Sequence, residues 1–374
     1  AEYFDGGGVK ELCAAIERLR GCGMRSLMIL ACEADHWLRQ DLDPLLRSLD
    51  IPVFGGIFPS IIHDARLHRT GTLVVGFPHV LPVAVVSQLA DRQTIEPQLA
   101  KLAPDLEHAG SVLGVVDGLS ANLETLVECL YGVLGVRTPM IGGGAGHLDL
   151  IQRPCLFSNQ GMLEDSALLV SLPMRIDRGI AHGWQMLSGP FLVTQSSGNV
   201  LKELNYRPAL EVYRGEIEAN SETDFSASDF FSISKTYPLG IESVDGEFLV
   251  RDPIKCEGDA LVCVGEVPEN AAIHLLKGDA AHLIAAAGCA AQAALAERQK
   301  KPSADSAEPA MALVFDCISR CLFLGKAFDE ELDTISRGLP GVDCMVGALT
   351  IGEIASSRRG LIELMNKSTL VALI

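Results

Sequence analysis

The sequence lacks both an excess of basic residues and a long apolar run. Lysine and arginine number 30 against 48 aspartate and glutamate residues, which gives a net charge of −18. Nucleic acids and anionic membrane surfaces are bound through basic faces, so neither is an expected partner. No apolar run reaches the roughly 18 residues that a membrane span needs. The N-terminal residues also lack a basic region followed by an apolar core, which predicts no secretory signal and a cytoplasmic location.

Three glycine-containing stretches each lie near the end of a similar chain segment. They are "IPVFGGIF" (51–58), "TPMIGGGAG" (138–146) and "GVDCMVGALTIGEI" (341–354). Each follows a short apolar run and a helical pattern, and each is followed by another apolar run. The first runs are 26–31, 111–116 and 311–316, and the returning runs are 71–77, 167–172 and 368–374. This order predicts an α/β fold of repeated β-α-β units with mixed, largely parallel sheets.

The motifs of nucleotide, metal and covalent haem sites are missing from these stretches and from the rest of the chain. A Walker loop needs G-K-[ST] after its glycines, whereas Ala145, Gly146 and His147 follow here. A Rossmann fingerprint opens a β-α-β unit, whereas these glycines close one. There is no C-x-x-C-H, and Cys317 to Cys321 is a C-x₃-C without a second pair at zinc spacing. No paired acid and base or activated nucleophile is found, so we expect a protein that is not an enzyme.

A different region separates the second and third units. It contains a predicted hairpin at 191–204, a helix from Pro208, a meander of strands and an alanine-rich helix at 279–300. The acidic stretch at 218–230 is the best linker candidate, and 301–309 is a predicted loop. We therefore expect two domains, 1–220 and 221–374.

Open α/β sheets bind ligands beyond the carboxyl ends of their parallel strands, and polar residues and glycines gather at that edge here. Arg320 would bind a carboxylate with two hydrogen bonds. Glu353 would bind an amine or pair with Arg320. The alternative is that these residues cap helices and pair with one another inside the fold. The predicted ligand-binding residues are Asp117, Ser120, Gly142, Gly143, Gly144, Cys317, Arg320, Gly352 and Glu353.

Six stretches of the chain, taken in order, form a specific pattern. They are "IGGGAG" (141–146), "AHGWQMLSGPFLVTQSSGNVLKELNYRPALEVY" (181–213), "YPLG" (237–240), "VGEVPENAAIHLLKGD" (264–279), "CISRCLFLG" (317–325) and "TIGEI" (350–354). Together they resemble the FIST sensory proteins over nearly the full chain, in both the FIST_N and FIST_C halves. His147 stands where that family often has an acidic residue.

The resemblance implies an intracellular ligand sensor that regulates a separate partner, such as a histidine kinase or a cyclic-di-GMP enzyme. One branch of stand-alone FIST proteins binds haem and senses nitric oxide, so haem b is the leading cofactor hypothesis. Haem needs an axial ligand and an apolar pocket, for which His182 beside Trp184, and His147, are the candidates. An amino-acid-like metabolite held by Arg320 and Glu353 is the second hypothesis. A ligand-free adaptor is the third hypothesis. Under any of the three, a second copy of the chain is a candidate partner in a homo-oligomer.

Overall fold

Three chain segments fold with the same order of elements, and a barrel is inserted into the third. The computed structural model describes residues 1–6, 8–225, 229–243, 247–300, 311–357 and 360–374. The first unit consists of β1 (Glu2–Phe4), α1 (Val9–Gly21), β2 (Ser26–Cys32), α2 (Arg39–Ser48), β3 (Val53–Phe58), β4 (Ser60–His63), β5 (Arg66–His68) and β6 (Thr72–Phe77). A short 3-10 helix, Glu33–Asp35, precedes α2.

The second unit repeats this order. It consists of β7 (Val83–Ser87), α3 (Arg92–Leu106), β8 (Ser111–Asp117), α4 (Leu123–Leu134), β9 (Met140–Ala145), β10 (Leu156–Ser158), β11 (Gly161–Leu163) and β12 (Ser166–Leu172). In α4 the buried leucines and valines recur at helical spacing and pack on the sheet, as the sequence pattern predicts.

The third unit begins with β13 (Asp177–Ala181), after which the barrel is inserted. The inserted elements are β14 (Gln185–Ser197), β15 (Val200–Leu204), β16 (Arg207–Pro208), α5 (Ala209–Asn220), α6 (Phe230–Ser234), β17 (Leu239–Glu242), β18 (Phe248–Glu257), β19 (Ala260–Val264) and β20 (Ala272–Lys277). Six of these strands close into an antiparallel ring in the order β14-β20-β17-β18-β19-β15. The predicted hairpin and meander are both parts of this barrel.

The third unit resumes after the barrel and has a longer crossover. It consists of α7 (Ala280–Gln299), β21 (Ala312–Cys317), α8 (Ile318–Leu324), a 3-10 turn (Gly325–Ala327), α9 (Phe328–Arg337), β22 (Met345–Thr350), β23 (Glu353–Ser356), β24 (Ile362–Met365) and β25 (Thr369–Leu373). Helix α7 is long and apolar enough to be a candidate membrane span by length and composition alone. It packs against β13, β25 and α9, and its buried residues belong to a core cluster.

Each unit builds one six-stranded sheet, and the units exchange hairpins in a cycle. Hairpin β4–β5 of the first unit pairs with β22 of the third, β10–β11 of the second pairs with β3 of the first, and β23–β24 of the third pairs with β9 of the second. The strand orders β1-β6-β2-β3-β10-β11, β7-β12-β8-β9-β23-β24 and β13-β25-β21-β22-β4-β5 are therefore equivalent.

The mixed sheets are confirmed, but the expectation that they are largely parallel is wrong. Parallel pairing joins β2 to β3, β8 to β9 and β21 to β22, which are the two strands of each predicted β-α-β unit. All other pairings between described strands are antiparallel. A helical crossover requires only the two strands that it connects to be parallel. The returning strands and the exchanged hairpins join the sheets in the opposite direction.

The three glycine stretches serve the same structural purpose. Gly55, Gly142 and Gly347 lie in the second strand of each parallel pair, opposite a residue of the first strand. A Cβ atom at these glycines would lie 1.9, 2.1 and 1.9 Å from the carbonyl oxygen of that opposite residue. Only glycine permits this approach between neighbouring strands. The interpretation of the stretches as one repeated structural device is therefore confirmed.

The predicted domain boundary at residue 220 falls inside the barrel, which contains strands from both sides of it. The division into 1–220 and 221–374 stays a prediction. The linker candidate at 218–230 overlaps the last residues of α5 and the first of α6, and part of it lies outside the described residues. The predicted loop at 301–309 lies wholly outside them.

Candidate ligand-binding site

A cavity of about 400 Å³ opens at the carboxyl end of β21, where the third unit meets the barrel. Cys317 ends β21 and Gly352 follows β22, and both border the cavity. Ile254 of β18 and Val264 of β19 line it from the barrel side. We call it the carboxyl-edge cavity. Its other lining residues are Leu148, Asp149, Leu150, Phe231, Asp252, Ile318, Ser319, Leu322, Ile351 and Asn366.

Two polar residues of this lining, Asn366 and Asp252, have a buried oxygen without a hydrogen-bond partner among the described residues, and Asn366 also lacks an ion pair. The exposed fraction of Asn366 is 2%, and its Oδ1 is the unpaired oxygen. Neither end of its amide is hydrogen-bonded to another residue in the part of the chain that the structure describes. Leaving a buried polar group unpaired costs about 1–3 kcal/mol, which is why such groups are usually paired. The Asn366 amide is therefore free to bind a ligand in the cavity.

Asp252 is the buried carboxylate of the cavity, and its charge is balanced. The Asp252 Oδ1 lies 3.2 Å from Nζ of Lys367, and its Oδ2 accepts a hydrogen bond of 2.6 Å from the Ser319 hydroxyl. Lys367 Nζ also donates to the carbonyl of Lys235 and lies 4.9 Å from the ring centroid of Trp184. Because Asp252 belongs to β18 and Lys367 follows β24, this ion pair joins the barrel to the third unit.

Arg320, a predicted ligand-binding residue, is fully buried, and its guanidinium is bound by other parts of the protein. Its Nε and Nη2 donate to Oε1 and Oε2 of Glu331 over 3.1 and 2.6 Å, and its Nε lies 3.4 Å from Oδ1 of Asp316. Together with three backbone carbonyls, these carboxylates accept hydrogen bonds from all five guanidinium N–H groups. Burial raises the pKa of Asp316 well above its usual range. The other N–H groups of Arg320 donate to the backbone carbonyls of His182, Leu283 and Lys367.

Glu353 is also fully buried, and it does not pair with Arg320. Its carboxylate accepts hydrogen bonds of 2.7 Å from the hydroxyls of Thr350 and Ser368. Burial raises the pKa of Glu353 to about 7. Burial likewise raises the pKa of the Cys317 thiol, so the nucleophilic thiolate is disfavoured. Glu353 is not one of the residues that line the cavity.

The predicted residues of the second unit form internal contacts, and none of them lines the carboxyl-edge cavity. Asp117 accepts hydrogen bonds from the backbone N–H groups of Leu119 and Asp165 and from the side chain of Gln152. The same Gln152 amide lies within hydrogen-bond distance of Ser120. Cβ atoms at Gly142, Gly143 and Gly144 would lie between 2.1 and 2.4 Å from Gly114, Thr350 and Ile351 respectively. These glycines therefore allow close packing between strands.

His182 borders a second, larger cavity of about 870 Å³ between the barrel and α7. Its Nδ1 accepts a hydrogen bond of 3.0 Å from the backbone N–H of Trp184. Burial lowers the pKa of His182 to about 4, so the ring is neutral at pH 7 and carries its proton on Nε2. An imidazole that ligates haem iron through Nε2 needs the opposite tautomer, in which Nδ1 is the donor. The surroundings of His182 therefore do not fit an axial ligand.

His147 and Trp184 do not complete a haem site with His182. Nδ1 of His147 lies 3.7 Å from a carboxylate oxygen of Glu33, and its buried Nε2 has no hydrogen-bond partner among the residues that the structure describes. His147 lines neither of the two cavities. Trp184 is buried, and its indole N–H donates to the carbonyl of Lys367. Within the described ranges, no group of three or more His, Cys, Asp or Glu side chains is placed to hold a metal ion.

Local sequence patterns do not indicate three polar residues at this cavity: Asp252 and Asn366, which line it, and Lys367, which pairs with Asp252. Asp252 lies in a meander strand, and Asn366 and Lys367 lie in the "NKS" stretch between two apolar strands. That polar triplet indicates a turn, and Lys367 indeed has a φ of 54°. Nothing in the local sequence indicates that it meets the barrel.

The sequence matches two family models that together span most of the chain. The FIST N domain model matches residues 26–207, and the FIST C domain model matches residues 209–356. A comparison with curated proteins gives no match. FIST domains are sensory domains of signal transduction rather than catalytic ones. The chain therefore belongs to the FIST family, as the resemblance of its motifs predicts.

Proposed function

We propose that the protein is a sensor whose small ligand binds in the carboxyl-edge cavity. The observation that carries this proposal is Asn366, a buried amide that has no hydrogen-bond partner among the described residues. It lines the carboxyl-edge cavity of about 400 Å³ and also borders the larger cavity. Ligand pockets in proteins are about 300–1,000 Å³ and combine apolar walls with a few polar groups. The carboxyl-edge cavity has both features.

The position of the cavity supports a sensory mechanism. A ligand there touches Ile318 of the third unit and Ile254 of the barrel at the same time. The Asp252–Lys367 ion pair crosses the same boundary. Binding would therefore favour one arrangement of the barrel relative to the third unit, and the shift in population would change the surface that a partner contacts. A histidine kinase, a cyclic-di-GMP enzyme or a second copy of the chain is the proposed partner, in an intracellular setting.

Filling the cavity tests this proposal. In Ile318→Trp the larger side chain occupies the space next to β21, whereas Met186→Trp adds the same ring at a barrel position that is 58% exposed. Native mass spectrometry of the wild-type protein, purified rapidly from its own cells, should show a bound small molecule. Ile318→Trp should lose that mass and Met186→Trp should keep it. Equal retention in both variants would place the ligand elsewhere, and a bare protein mass in all three would favour the ligand-free adaptor.

Haem-based sensing of nitric oxide is the competing proposal. An absorption spectrum of the purified protein, before and after haemin is added, separates the two. A Soret band that moves with nitric oxide and is lost in His182→Ala or His147→Ala would support haem. We expect only the broad spectrum of free haemin, because Nδ1 of His182 already accepts a backbone hydrogen bond.

A further inference from the structure

The charges around the carboxyl-edge cavity restrict its ligand, and this step rests on the proposed function. Among the described residues, the lining contains two carboxylates, Asp149 and Asp252, and no Lys, Arg or His. Asp149 is paired with Arg153 over 2.8 Å near the solvent. An anionic head group would meet no counter-charge in the cavity, and burying an unpaired charge is costly. The lining therefore disfavours carboxylates and phosphates.

A cationic head group is disfavoured for a different reason. The buried Asp252 already has a counter-charge in Lys367, 3.2 Å away. Lys367 is fully buried, and its ammonium is held by the Lys235 carbonyl and the Trp184 ring as well. A ligand ammonium beside Asp252 would therefore be a second cation close to the first, in a region that water does not screen. The inner end of the cavity suits a neutral head group.

Asn366 determines which neutral group fits. A primary amide has an acceptor oxygen and donor N–H groups side by side, and both ends of this one are free of hydrogen bonds to the described residues. The complementary partner is a second amide, which accepts at one position and donates at the next. An alcohol or an ether satisfies only one end well. The geometry therefore favours a carboxamide or a lactam.

The rest of the cavity suits an apolar body. Ile318, Leu322 and Ile351 form part of its wall. Phe231, Leu148 and Leu150 also line it, and they remain 37%, 41% and 47% exposed. Exposed apolar groups gathered around a concave site mark a binding surface. A ligand with an apolar body would cover them when its head lies against Asn366.

We propose that the ligand is a neutral carboxamide or lactam on an apolar body, bound through paired hydrogen bonds to the side chain of Asn366. Three probes that share a phenyl body test the head group directly: phenylacetamide, phenylacetate and phenethylamine. Calorimetric titration of the full chain should give phenylacetamide an affinity at least tenfold higher than that of either charged probe. Equal or tighter binding of phenylacetate or phenethylamine would overturn the proposal.

Two variants test whether the preference for phenylacetamide depends on the side chain of Asn366. Asn366→Leu should weaken phenylacetamide binding at least tenfold. Asn220→Leu, which changes an exposed asparagine at the end of α5, should leave that affinity unchanged. Undiminished binding to Asn366→Leu, or no binding of any probe to the wild type, would also overturn the proposal.

Ile318→Trp separates this inference from the proposed function. If it abolishes binding of all probes but the wild type ranks a charged probe first, the cavity is the ligand site and the amide assignment is wrong. If binding persists in Ile318→Trp, the cavity itself is wrong. When no probe binds, the mass measurement of the co-purified ligand still decides whether the cavity is occupied.

Discussion

Replacing Asn366 by leucine should make the unliganded protein more stable, and this is the most informative consequence of the structure. The asparagine side chain is 2% exposed and has no hydrogen-bond partner among the described residues. A buried polar group in that condition costs about 1–3 kcal/mol relative to its hydrated state in the unfolded chain. Leucine has a similar size and carries no polar atoms. We therefore expect Asn366→Leu to raise the free energy of unfolding by about 1–3 kcal/mol.

Denaturant titration, followed by intrinsic fluorescence, measures this change. Asn220→Leu is the matched control because its side chain is exposed, and surface substitutions usually stay within about 0.5 kcal/mol. A gain in stability together with a loss of ligand binding is the signature of a group kept for function. A loss of 1 kcal/mol or more in Asn366→Leu would show that the asparagine has a structural partner, and the argument for the ligand site would fail.

Three further predictions concern the buried charges and the glycines. Arg320→Met should lower the free energy of unfolding by about 3–5 kcal/mol, because Glu331 would be left buried without its counter-charge. The double variant with Arg320→Met and Glu331→Leu should recover part of this loss in the same denaturant titration. Burial raises the pKa of Glu353 from 4.5 to about 7, so the folded state binds this proton more tightly and stability falls as pH rises through that range. Glu353→Gln should remove roughly 3 kcal/mol of this pH dependence, measured as the difference between wild-type and variant unfolding curves. Gly142→Ala should destabilise the folded protein by about 3 kcal/mol or more, because the new Cβ would lie 2.1 Å from a backbone oxygen. The control is Gly132→Ala in α4, where the space around the glycine is open, and it should stabilise the protein by about 0.5–1 kcal/mol.

Each of these predictions has a contrary result. A neutral Arg320→Met would mean that the guanidinium is not the main partner of Glu331. Parallel pH profiles for wild type and Glu353→Gln would mean that this carboxyl titrates as it does in water. A Gly142→Ala protein as stable as Gly132→Ala would refute the close approach of β8 and β9.

The repeated units were predictable because their signals are local. A parallel strand pair needs a crossover helix, and the close approach at Gly55, Gly142 and Gly347 needs glycine, so both leave a mark on the sequence. The exchange of hairpins leaves no such mark, because β4 and β22 are almost 300 residues apart by their positions in the chain. A pattern that fixes the direction of two strands therefore does not fix the rest of the sheet.

A cavity lies at the predicted edge of the sheet, but only two of the predicted ligand-binding residues line it, and its role as a ligand site stays a prediction. Cys317 and Gly352 line the cavity because they lie at the carboxyl ends of the two parallel strands β21 and β22. Arg320 follows the same strand, yet Glu331 in α9 takes its guanidinium, and no spacing rule indicates that pairing. Asn366 lines this cavity together with a barrel strand that lies more than a hundred residues earlier in the chain, a proximity that only the folded chain reveals.

A crystal structure of the wild-type protein grown with phenylacetamide tests the central claim most directly. The account predicts density for the probe in the carboxyl-edge cavity, with its amide within about 3 Å of both ends of the Asn366 side chain. Density against His182 in the larger cavity, with the carboxyl-edge cavity empty, would contradict it.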